Sequence, residues 1–456
     1  MRAVLRALVL VLGVKAAAAT PGPPAGEVAG RPPNIVLILA DDLGWNQVGY
    51  HGFPFFATPH LDRLARESVR FRHAYSAAPI CSPSRAAILT GRAPARLQLT
   101  DYIPGRLFPD QPLVSPGTQR GLPLEETTLA EMLRTRGYRS GIFGKWHLAD
   151  SYDYAPGRPL DPESQGFDEV FHTNKPKEDQ LGTPDAHNAD AITERAVDFV
   201  RRHRGRPFFC YIAHHVAHRP LTEDPAVVER WRRRPGAGEP GNSPVIAAMI
   251  ERMDRGIGRI LDVLRELDLE RGTIVVFTSD NGNIVGDQGP TPFRGGKAML
   301  WEGGLRVPLA IRWPGRIAPD RDSDEPVISH DLCPTLLELT GTTYAPRLHD
   351  GVSLGPILLG TAAALPREAI FWHYPHYHEL GDRRPGAAIR MGRYKLIEWY
   401  EGTLLGRGPA TSLFDVVADP GETRDLAAEM PGRNEAMLAR LRAWRARVGA
   451  IEMRVR

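Results

Sequence analysis

Four short polar clusters in this 456-residue chain carry most of the side chains that could do chemistry, and each follows an apolar run. The clusters are Asp41-Asp42, Lys145 with His147, His214 with His215 and His218, and Asp280-Asn281. Carboxylate and amide oxygens are hard donors, which suit Ca²⁺ or Mg²⁺ better than Zn²⁺. An Asp-Asp pair alone is typical of a turn, but three carboxylates brought together would repel one another without a cation between them. The clusters therefore predict a Ca²⁺ or Mg²⁺ site.

Positive and proton-carrying groups accompany these acids. They are Arg85, Lys145, His147, His218 and Lys297. Around an anionic metal site they favour a tetrahedral oxyanion, a sulfate or a phosphate, because they can neutralise its charge and protonate a leaving oxygen. The histidines at 214–218 do not predict zinc, because no second cluster has the spacing of zinc ligands.

Cys81 begins the most unusual polar segment of the chain, Cys-Ser-Pro-Ser-Arg, which runs into a short apolar helix. The other two cysteines, Cys210 and Cys333, lie in apolar runs and are predicted to be buried, so no disulfide framework is expected. N–H groups at the start of a helix near Cys81 would add to anion binding. From the residues alone, Cys81 is either a buried thiol or a reactive centre.

Alternating strands and helices must position these groups. Apolar runs predict strands at 34–40, 138–143, 207–213, 273–278 and 305–313. Amphipathic runs predict helices at 58–71, capped by Thr58, and at 125–136, 188–203, 243–267 and 329–339. This alternation predicts an α/β fold with a large, mostly parallel sheet flanked by helices. Because the carboxyl ends of parallel strands share one edge, the four polar clusters are expected to meet there.

Composition and local patterns predict the domain organisation. The chain is 42% hydrophobic with a net charge of +3, which gives no reason to expect a nucleic-acid partner. Residues 1–19 have the layout of a signal peptide and 20–32 that of a flexible N-terminus, and no later run predicts a membrane span. Residues 33–345 are predicted to form the catalytic domain, and 346–456 a smaller α+β domain with a final helix at 433–447. Export to the periplasm or the medium follows, and the lack of usable Asn-x-Ser/Thr sites favours a bacterial source.

The segment CSPSRAAILTGR at 81–92 resembles the Cys-x-Pro-Ser-Arg…Thr-Gly-Arg signature of the type I sulfatases, the arylsulfatase-like enzymes of the alkaline phosphatase superfamily. Four further motifs match that family in order: the Asp-Asp pair after the first strand, GKWHL at 144–148, TSDNG at 278–282, and GGK…EGG…RVP at 295–308. The resemblance covers about residues 33–400. It implies an alkaline phosphatase-like fold and hydrolysis of sulfate esters.

The resemblance also implies a modification of Cys81. In that family a formylglycine-generating maturation enzyme oxidises this cysteine to Cα-formylglycine (3-oxoalanine). One hydroxyl of the aldehyde hydrate attacks sulfur and displaces the alcohol, which leaves a sulfate hemiester. Deprotonation of the other hydroxyl then reforms the aldehyde and releases sulfate, so water never has to attack sulfur.

Roles for the other residues follow from their positions in the motifs. The implied Ca²⁺ ligands (Mg²⁺ is the alternative ion) are Asp41, Asp42, Asp280 and Asn281, together with position 81. Arg85 orients the hydrate. The sulfate-binding residues are Lys145, His218 and Lys297. Either Lys297 or His218 protonates the leaving oxygen, His147 is the base for breakdown of the hemiester, and Asp280 is a candidate to activate the attacking hydroxyl. Thr173 is a weaker candidate for a supporting role.

The substrate is less well defined by the sequence. A sulfated carbohydrate is the expected natural substrate, and aryl sulfates are expected to serve as artificial ones. The segment 373–378, HYPHYH, would either line the mouth of the site or pack between the domains, and the loop at 101–121 could form a rim. Three alternatives stay open: a phosphonate monoester or phosphodiester hydrolase of the same superfamily, a catalytically silent sulfoglycan-binding protein, and an enzyme that uses the unmodified Cys81 thiol.

Overall fold

The computed structural model describes residues 31–287, 291–345, 349–380, 382 and 384–456. The predicted signal peptide, 1–19, and most of the predicted flexible segment, 20–32, lie outside these residues. The boundary predicted between the two domains at 345/346 also stays a prediction. None of the helices formed by the described residues is long and apolar enough to cross a membrane.

The strands are, in chain order, β1 (Asn34–Ala40), β2 (Val69–Phe71), β3 (Ala74–Tyr75), β4 (Leu113–Val114), β5 (Arg139–Gly144), β6 (Glu169–His172), β7 (Phe208–Ala213), β8 (Thr273–Ser279), β9 (Leu309–Arg312), β10 (Arg321–Ser323), β11 (Val327–Ile328), β12 (Ile370–Tyr374), β13 (Gly386–Met391), β14 (Tyr394–Trp399), β15 (Thr411–Asp415) and β16 (Arg454–Val455). The α-helices are α1 (Pro59–Arg66), α2 (Cys81–Thr90), α3 (Pro94–Leu97), α4 (Leu129–Arg134), α5 (Ala189–His203), α6 (Pro225–Arg232), α7 (Pro244–Glu266), α8 (Glu302–Leu305), α9 (Leu332–Leu339), α10 (Gly355–Leu358), α11 (Tyr400–Leu405) and α12 (Pro431–Val448).

An eight-stranded sheet forms the centre of the fold, in the order β10-β2-β9-β8-β1-β7-β5-β6. Strands β8, β1, β7, β5 and β6 pair in parallel, whereas β9 runs antiparallel to both β8 and β2. Strand β1, NIVLILA, is buried along its whole length, as expected for a strand covered on both faces. The predicted α/β fold with a mostly parallel sheet is confirmed.

Alternate side chains of β1 face two different helical layers. Ile35, Leu37 and Leu39 pack in one core, which includes residues of α2, α4 and α9. Val36, Ile38 and Ala40 pack in the other, with residues of α1, α5 and α7. The two-residue period of a strand thus places the sheet between two layers of helices.

The prediction of one helix over 58–71 is wrong at its C-terminal end. Helix α1 ends at Arg66, and Val69–Phe71 is strand β2, which pairs with β9 and β10. Val69 and Phe71 are buried in the sheet, and tertiary pairing overrides the helical spacing of the apolar residues. Thr58 is at the N-cap position, as predicted, but its hydroxyl donates to Asp62 Oδ1 and does not accept from the helix backbone.

Two other elements are shorter than predicted. Helix α4 begins only after Thr128, whose side chain accepts from Glu131 N while the Glu131 carboxylate accepts from Thr128 N. This capping box fixes the start of the helix four residues after the predicted position 125. The strand predicted at 305–313 is reduced to Leu309–Arg312, because Glu302–Leu305 forms a helical turn before it.

A four-stranded antiparallel sheet, β12-β13-β14-β15, forms the second, smaller layer of the fold, in agreement with the small sheet expected near the C-terminus. Helix α12 packs on it through Met437, Leu441 and Trp444, which share a core with Ile389 and Leu396. The rings of Phe371 and Trp444 stack with their centroids 4.9 Å apart.

Candidate active site

The parallel register of the sheet brings the four polar clusters to one edge. Ala40 of β1 is opposite Ser279 of β8, and the next backbone N–H, that of Asp280, donates to Ala40 O at 3.2 Å. On the other side of β1, His214 N donates to Leu39 O at 2.9 Å. Lys145 N donates to Ala213 O at 2.8 Å, which brings the end of β5 beside the end of β7. The sheet therefore positions these residues through its backbone.

The acidic groups at this edge are fully buried and bonded to one another. Asn281 Nδ2 donates to Asp42 Oδ1 at 2.7 Å, and Asp42 N donates to Asp280 Oδ1 at 3.1 Å. Asp42 has φ 58°, a left-handed conformation that Asp tolerates better than most residues. The Oδ1 atom of Asn281 is buried and has no hydrogen-bond partner among the described residues.

Cys81 and Arg85 lie one turn apart on α2, so they share a face of that helix. Cys81 is the first residue of α2, and its Sγ lies within 4.8 Å of carboxylate oxygens of Asp41 and Asp280. Arg85 Nε donates to Asp280 Oδ2 at 2.8 Å, and Arg85 Nη1 donates to Lys145 O at 3.2 Å. These contacts fix Arg85 between the helix and two strand ends.

Two lysines neutralise the remaining carboxylates. Lys145 Nζ lies 2.8 and 2.9 Å from the two carboxylate oxygens of Asp41. Lys297 Nζ lies 2.8 Å from Asp42 Oδ2. Both ammonium groups are nearly buried, which strengthens these contacts relative to surface ion pairs.

Glycine motifs place Lys297 at the site. A Cβ at Gly282 would lie 1.9 Å from the carbonyl oxygen of Gly303, so these two segments can meet only where a side chain is absent. Lys297 N donates to Asn283 O, and the following N–H, of Ala298, donates to Pro79 O, both at 2.8 Å. The segment that carries Lys297 is thus tied both to the Asp280 strand end and to the approach to Cys81.

His147 has one ring nitrogen fixed and one free. Its Nε2 lies 2.8 Å from the carbonyl oxygen of Ile103, so Nε2 carries the proton and donates. Its Nδ1 is buried without a hydrogen-bond partner among the residues that the structure describes. Burial and the charge of Lys145 hold the pKa of His147 well below its usual value, so the ring is neutral and Nδ1 is a proton acceptor.

The three histidines at 214–218 are in different environments. His218 Nε2 lies 3.7 Å from Asp42 Oδ2, and burial, with Lys297, lowers the pKa of His218 to about 4. His215 Nε2 lies 3.1 Å from the hydroxyl of Thr173, and both residues line the same cavity as Cys81. His214 is buried and does not line that cavity. This geometry agrees with His218, rather than His214, as the sulfate-binding histidine that the resemblance implies, although its role stays a prediction.

The positive charges near Asp41, Asp42 and Asp280 do not fully compensate the three carboxylates. Burial alone would raise the pKa values of Asp41 and Asp42, but Lys145 and Lys297 outweigh this effect and lower both. Burial and the charge of Asp41 raise the pKa of Asp280 to about 6, although Arg85 acts in the opposite direction. One carboxylate of the three therefore still attracts a proton.

The residues present fit a hard divalent cation. Oxygens of Asp41, Asp42 and Asp280, with the unpartnered Asn281 Oδ1, form an oxygen-only donor set of the kind that Ca²⁺ or Mg²⁺ prefers. Two groups of possible ligand atoms within 4.8 Å of one another, Asp41-Asp42-His218 and Asp41-Cys81-Asp280, have Asp41 in common. The metal ligands predicted from the sequence are therefore all brought together.

A cavity of about 540 Å³ opens above Cys81. Its other lining residues are Ile80, Tyr102, Lys145, His147, Tyr152, His172, Thr173, Asn174, Lys175, Pro176, Lys177, His215, His218, Arg219, Ile284, Lys297, His378, Glu379 and Leu380. Of the predicted catalytic residues, Cys81, Lys145, His147, His218 and Lys297 reach this cavity. Arg85, Asp41, Asp42, Asp280 and Asn281 lie behind them and are fully buried.

Some residues of the segment 373–378 pack inside the protein, and others line the cavity. His373 contacts the Tyr400 hydroxyl at 2.6 Å, and His376 contacts the Thr100 hydroxyl at 2.8 Å, so both are packing residues. His378 lines the cavity, as does Tyr102 of the loop at 101–121.

The sequence patterns missed Tyr152, Lys175 and Lys177, which also line the cavity. These residues belong to no motif. The only available signal was the scarcity of lysine, which makes two lysines in one short loop unusual for this chain.

Comparisons with known proteins agree along most of the chain. A family model described as Sulfatase matches residues 33–342, and one described as N-sulphoglucosamine sulphohydrolase, C-terminal, matches residues 295–444. Arylsulfatase A of Homo sapiens is 33% identical over 475 residues, which cover 92% of this chain and 88% of the relative.

The chain is also similar to a second curated relative and to a solved structure. N-acetylgalactosamine-6-sulfatase of Homo sapiens is 34% identical over 408 residues, which cover 81% of this chain and 72% of the relative. The crystal structure of Ps i-CgsB in complex with k-i-k-neocarrahexaose superposes with a TM-score of 0.75 at 26% identity and covers 91% of this chain and 93% of that one.

Proposed function

The chain belongs to the sulfatase family and is a sulfuric ester hydrolase, and on this premise we propose that it removes sulfate from a sulfated carbohydrate through a formylglycine at position 81 and a bound Ca²⁺. One observation carries the proposal. Cys81 lies at the start of a buried helix, beside three carboxylates and two lysines, and lines a cavity large enough for a sugar.

The unmodified thiol is a poor alternative nucleophile. Burial raises the pKa of Cys81, and Lys145 and Lys297 offset this effect only in part. A protonated thiol attacks slowly, because the thiolate is the reactive form. Oxidation of Cys81 by a maturation enzyme would instead supply an aldehyde hydrate, whose hydroxyl is the nucleophile toward sulfur.

The metal site would be formed by Asp41, Asp42, Asp280, Asn281 and position 81, with Mg²⁺ as the alternative ion. A bound divalent cation would supply positive charge next to the sulfate oxygens and the nucleophile. Arg85 keeps Asp280 in place through its contact at 2.8 Å and holds the helix that carries position 81 against the strand ends. Asp280, whose pKa is raised to about 6, is the proposed acceptor of the proton from the attacking hydroxyl.

Lys145, Lys297 and His218 are the proposed sulfate-binding residues. Lys145 is paired with Asp41 and Lys297 with Asp42, and both lysines line the cavity. Each ammonium group is therefore placed to contact a sulfate bound there. Of the two proton donors considered for the leaving oxygen, Lys297 is the better supported. The low pKa of His218, about 4, leaves that imidazole neutral, whereas the contact with Asp42, which outweighs burial, keeps Lys297 charged.

His147 is the proposed base that removes the second proton and allows sulfate to leave. Its Nδ1 is free to accept a proton, because the carbonyl of Ile103 holds the proton on Nε2. Burial lowers its pKa, so the ring stays neutral and ready to accept over a wide pH range.

The substrate class rests on two names among the similar proteins. One relative is named for a sulfated amino sugar, and one solved structure carries a neocarrahexaose. Both favour a sulfated carbohydrate as the natural substrate, with aryl sulfates as artificial ones. A formylglycine-generating enzyme is the proposed maturation partner. Export is proposed from the signal-peptide pattern at 1–19, and a bacterial source from the lack of usable Asn-x-Ser/Thr sites.

The proposal is tested by comparing esters that differ only in the reacting group. We expect kcat/KM for 4-nitrophenyl sulfate to exceed that for 4-nitrophenyl phenylphosphonate and for bis(4-nitrophenyl) phosphate by at least ~100-fold, about 2.7 kcal/mol of transition-state stabilisation. Cys81→Ala protein is the control for background hydrolysis. Faster turnover of a phosphorus ester would assign the chain to phosphonate or phosphodiester hydrolysis. Absence of any turnover by protein with converted Cys81 would make it a binding protein.

A further inference from the structure

Lysine is rare in this protein and concentrated at one place. Six of the 57 basic residues are lysines, at positions 15, 145, 175, 177, 297 and 395. Four of them line the single cavity above Cys81, namely Lys145, Lys175, Lys177 and Lys297. Lys145 and Lys297 are explained by their contacts with Asp41 and Asp42. Lys175 and Lys177 lie in the loop after β6 and have no such explanation.

Lys175 has no acidic partner, unlike Arg219 at the same cavity. Arg219 is held by Asp287, with N–O distances of 2.7 and 2.8 Å. Lys175, by contrast, makes no ion pair and no hydrogen bond within the described part of the chain, and its ammonium lies near an aromatic ring. An ammonium without a counter-charge at the wall of a cavity is a group available to an anionic ligand.

The electrostatic surroundings of this lysine leave its charge only partly compensated. Partial desolvation lowers the pKa of Lys175, and the positive charge of Lys145 lowers it further, while Asp41 opposes both effects only in part. An anion bound beside Lys175 would also oppose them, because it would add an opposite charge next to the ammonium.

The aromatic neighbour, Tyr152, is held by a hydrogen bond. Lys175 Nζ lies 6.0 Å from the centroid of the Tyr152 ring, and the Tyr152 hydroxyl donates to Ile103 O at 3.0 Å. The Tyr152 ring also lies 5.1 Å from that of His147, the proposed base. A flat face beside an ammonium is suited to a sugar ring that carries a negative group. Tyr152 thus connects the reacting centre to Lys175.

The cavity has room for more than the reacting sulfate. At about 540 Å³ it is within the range of sites that hold a ligand of several rings, and far larger than one sulfate group needs. Tyr102, His378 and Leu380 also line it, with the Tyr102 and His378 rings 5.6 Å apart. The cavity therefore combines the positive loop with aromatic and apolar side chains around a space large enough for a second sugar.

We propose that Lys175, with Lys177 beside it, forms a second anion-binding subsite, which recognises a carboxylate or an additional sulfate on the sugar next to the one that is desulfated. This inference rests on the proposed function and narrows it, since the substrate becomes an acidic oligosaccharide with at least two negative groups. The shared chemistry is one anion held by an ammonium, and a uronate or a second ester sulfate can supply it.

Lys175→Gln is the test variant, because it keeps the length and polarity of the side chain and removes its charge. The substrates are biphenyl-4-yl sulfate and two analogues that carry, on the second ring, either a carboxylate or a sulfonate that stands for a second sulfate. We expect the variant to lower kcat/KM for the dianionic analogues about 10-fold more than for the monoanionic parent, the size of one charge-assisted hydrogen bond. The analogue with the larger loss identifies the source of the anion.

Arg232→Gln is the matched control, because it removes one exposed positive charge on α6, away from the cavity. It is expected to leave the ratio between substrates unchanged. Equal losses on all substrates with Lys175→Gln would place Lys175 on the reacting sulfate or in the fold, and would overturn the proposal. No loss on any substrate would overturn it as well.

A binding measurement separates this inference from the proposed function. Calorimetry with 4'-carboxybiphenyl-4-sulfonate and biphenyl-4-sulfonate on Cys81→Ala protein measures binding at the subsite without turnover. The carboxylated ligand should bind about 10-fold more tightly, and Lys175→Gln in the same background should remove that preference. Failure of the wild type to hydrolyse any sulfate ester would overturn the proposed function, whereas equal binding of the two sulfonates would overturn the subsite.

Discussion

Two of the buried ionic clusters in the described part of this protein differ in whether they reach the cavity above Cys81. The site cluster consists of Asp41, Asp42, Asp280, Arg85, Lys145 and Lys297. The support cluster consists of Glu302, Glu422, Lys395, Arg306 and Arg390. In the latter, Lys395 Nζ lies 3.1 Å from Glu302 and 3.0 Å from Glu422, and all three side chains are fully buried. The two clusters are therefore equally buried and similarly paired.

The site cluster and the support cluster differ in their access to the cavity above Cys81. Lys145 and Lys297 line the cavity above Cys81, and Asn281 Oδ1 beside them lacks a partner among the described residues. No member of the support cluster lines that cavity. Glu422 instead accepts from the backbone N–H of Glu302 at 2.7 Å, which anchors the segment next to Gly303. Burial of charge alone thus does not mark an active site; access from a cavity and an unsatisfied donor set do.

The largest effect that separates the clusters is expected from matched changes of one acid to its amide. Asp280→Asn should lower kcat by roughly 10³-fold or more and abolish Ca²⁺ binding, because it removes a proposed ligand and the partner of Arg85. Glu302→Gln should change kcat by less than about 10-fold and leave Ca²⁺ affinity intact, because it lies outside the metal site. Steady-state kinetics and calorimetric Ca²⁺ titration measure both.

Retained Ca²⁺ affinity in Asp280→Asn would contradict the ligand assignment. Loss of Ca²⁺ binding in a folded Glu302→Gln protein would mean that the two clusters form one functional unit, and the distinction between them would fail. Circular dichroism of both variants shows whether the fold is kept.

The second comparison concerns stability. Lys395→Met should destabilise the protein by about 3–5 kcal/mol, because it leaves Glu302 and Glu422 buried without their shared cation. Lys145→Met also strips a buried acid, Asp41, of its partner, but a bound Ca²⁺ should recover much of that loss. Urea unfolding with and without Ca²⁺ measures the difference. Equal rescue of both variants by Ca²⁺ would show that the support cluster also binds the ion.

The smallest effect concerns pH. Burial, which outweighs the opposing charge of Lys395, raises the pKa of Glu422 from 4.5 to about 7 in the folded protein. The folded state then holds a proton that the unfolded state has lost, so this group contributes stability below about pH 4.5 that is lost as pH rises through 7. Glu302, with its pKa lowered to about 2 by Lys395 against the effect of burial, acts in the opposite sense only at lower pH.

The free energy of unfolding should therefore decrease less between pH 5 and 7 in Glu422→Gln than in the wild type, by at most about 3 kcal/mol. Urea unfolding at several pH values measures this change. Glu429→Gln is the control, because Glu429 is an exposed acid seven residues further along the chain. An unchanged pH profile would mean that Glu422 is ionised throughout this range, paired with Lys395.

The sequence predicted the site better than its surroundings, for physical reasons. Asp41, Lys145 and Asp280 directly follow buried strands, and the parallel register makes their meeting a consequence of the fold. Val69 and Phe71 were assigned to a helix because their spacing also fits one, and only pairing with β9 decides between the two structures.

Other features depended on signals that were weaker or absent. The Thr-x-x-Glu spacing of Thr128 and Glu131 predicts the start of α4, but the amphipathic pattern over 125–136 also fits a longer helix. Lys175 and Tyr152 come together only through the path of loops, for which no periodicity exists. The support cluster joins residues more than 90 positions apart in the chain, such as Glu302 and Lys395, and no local pattern predicts such a contact.

The proposed formylglycine at position 81 is tested by the mass of the tryptic peptide 73–85, from enzyme produced together with a formylglycine-generating partner. We expect this peptide to be lighter than its cysteine form, to react with an aldehyde reagent, and to be present in a fraction that matches the active fraction of the preparation. Fully active enzyme in which every copy of the peptide carries the unmodified Cys81 thiol would contradict the proposal.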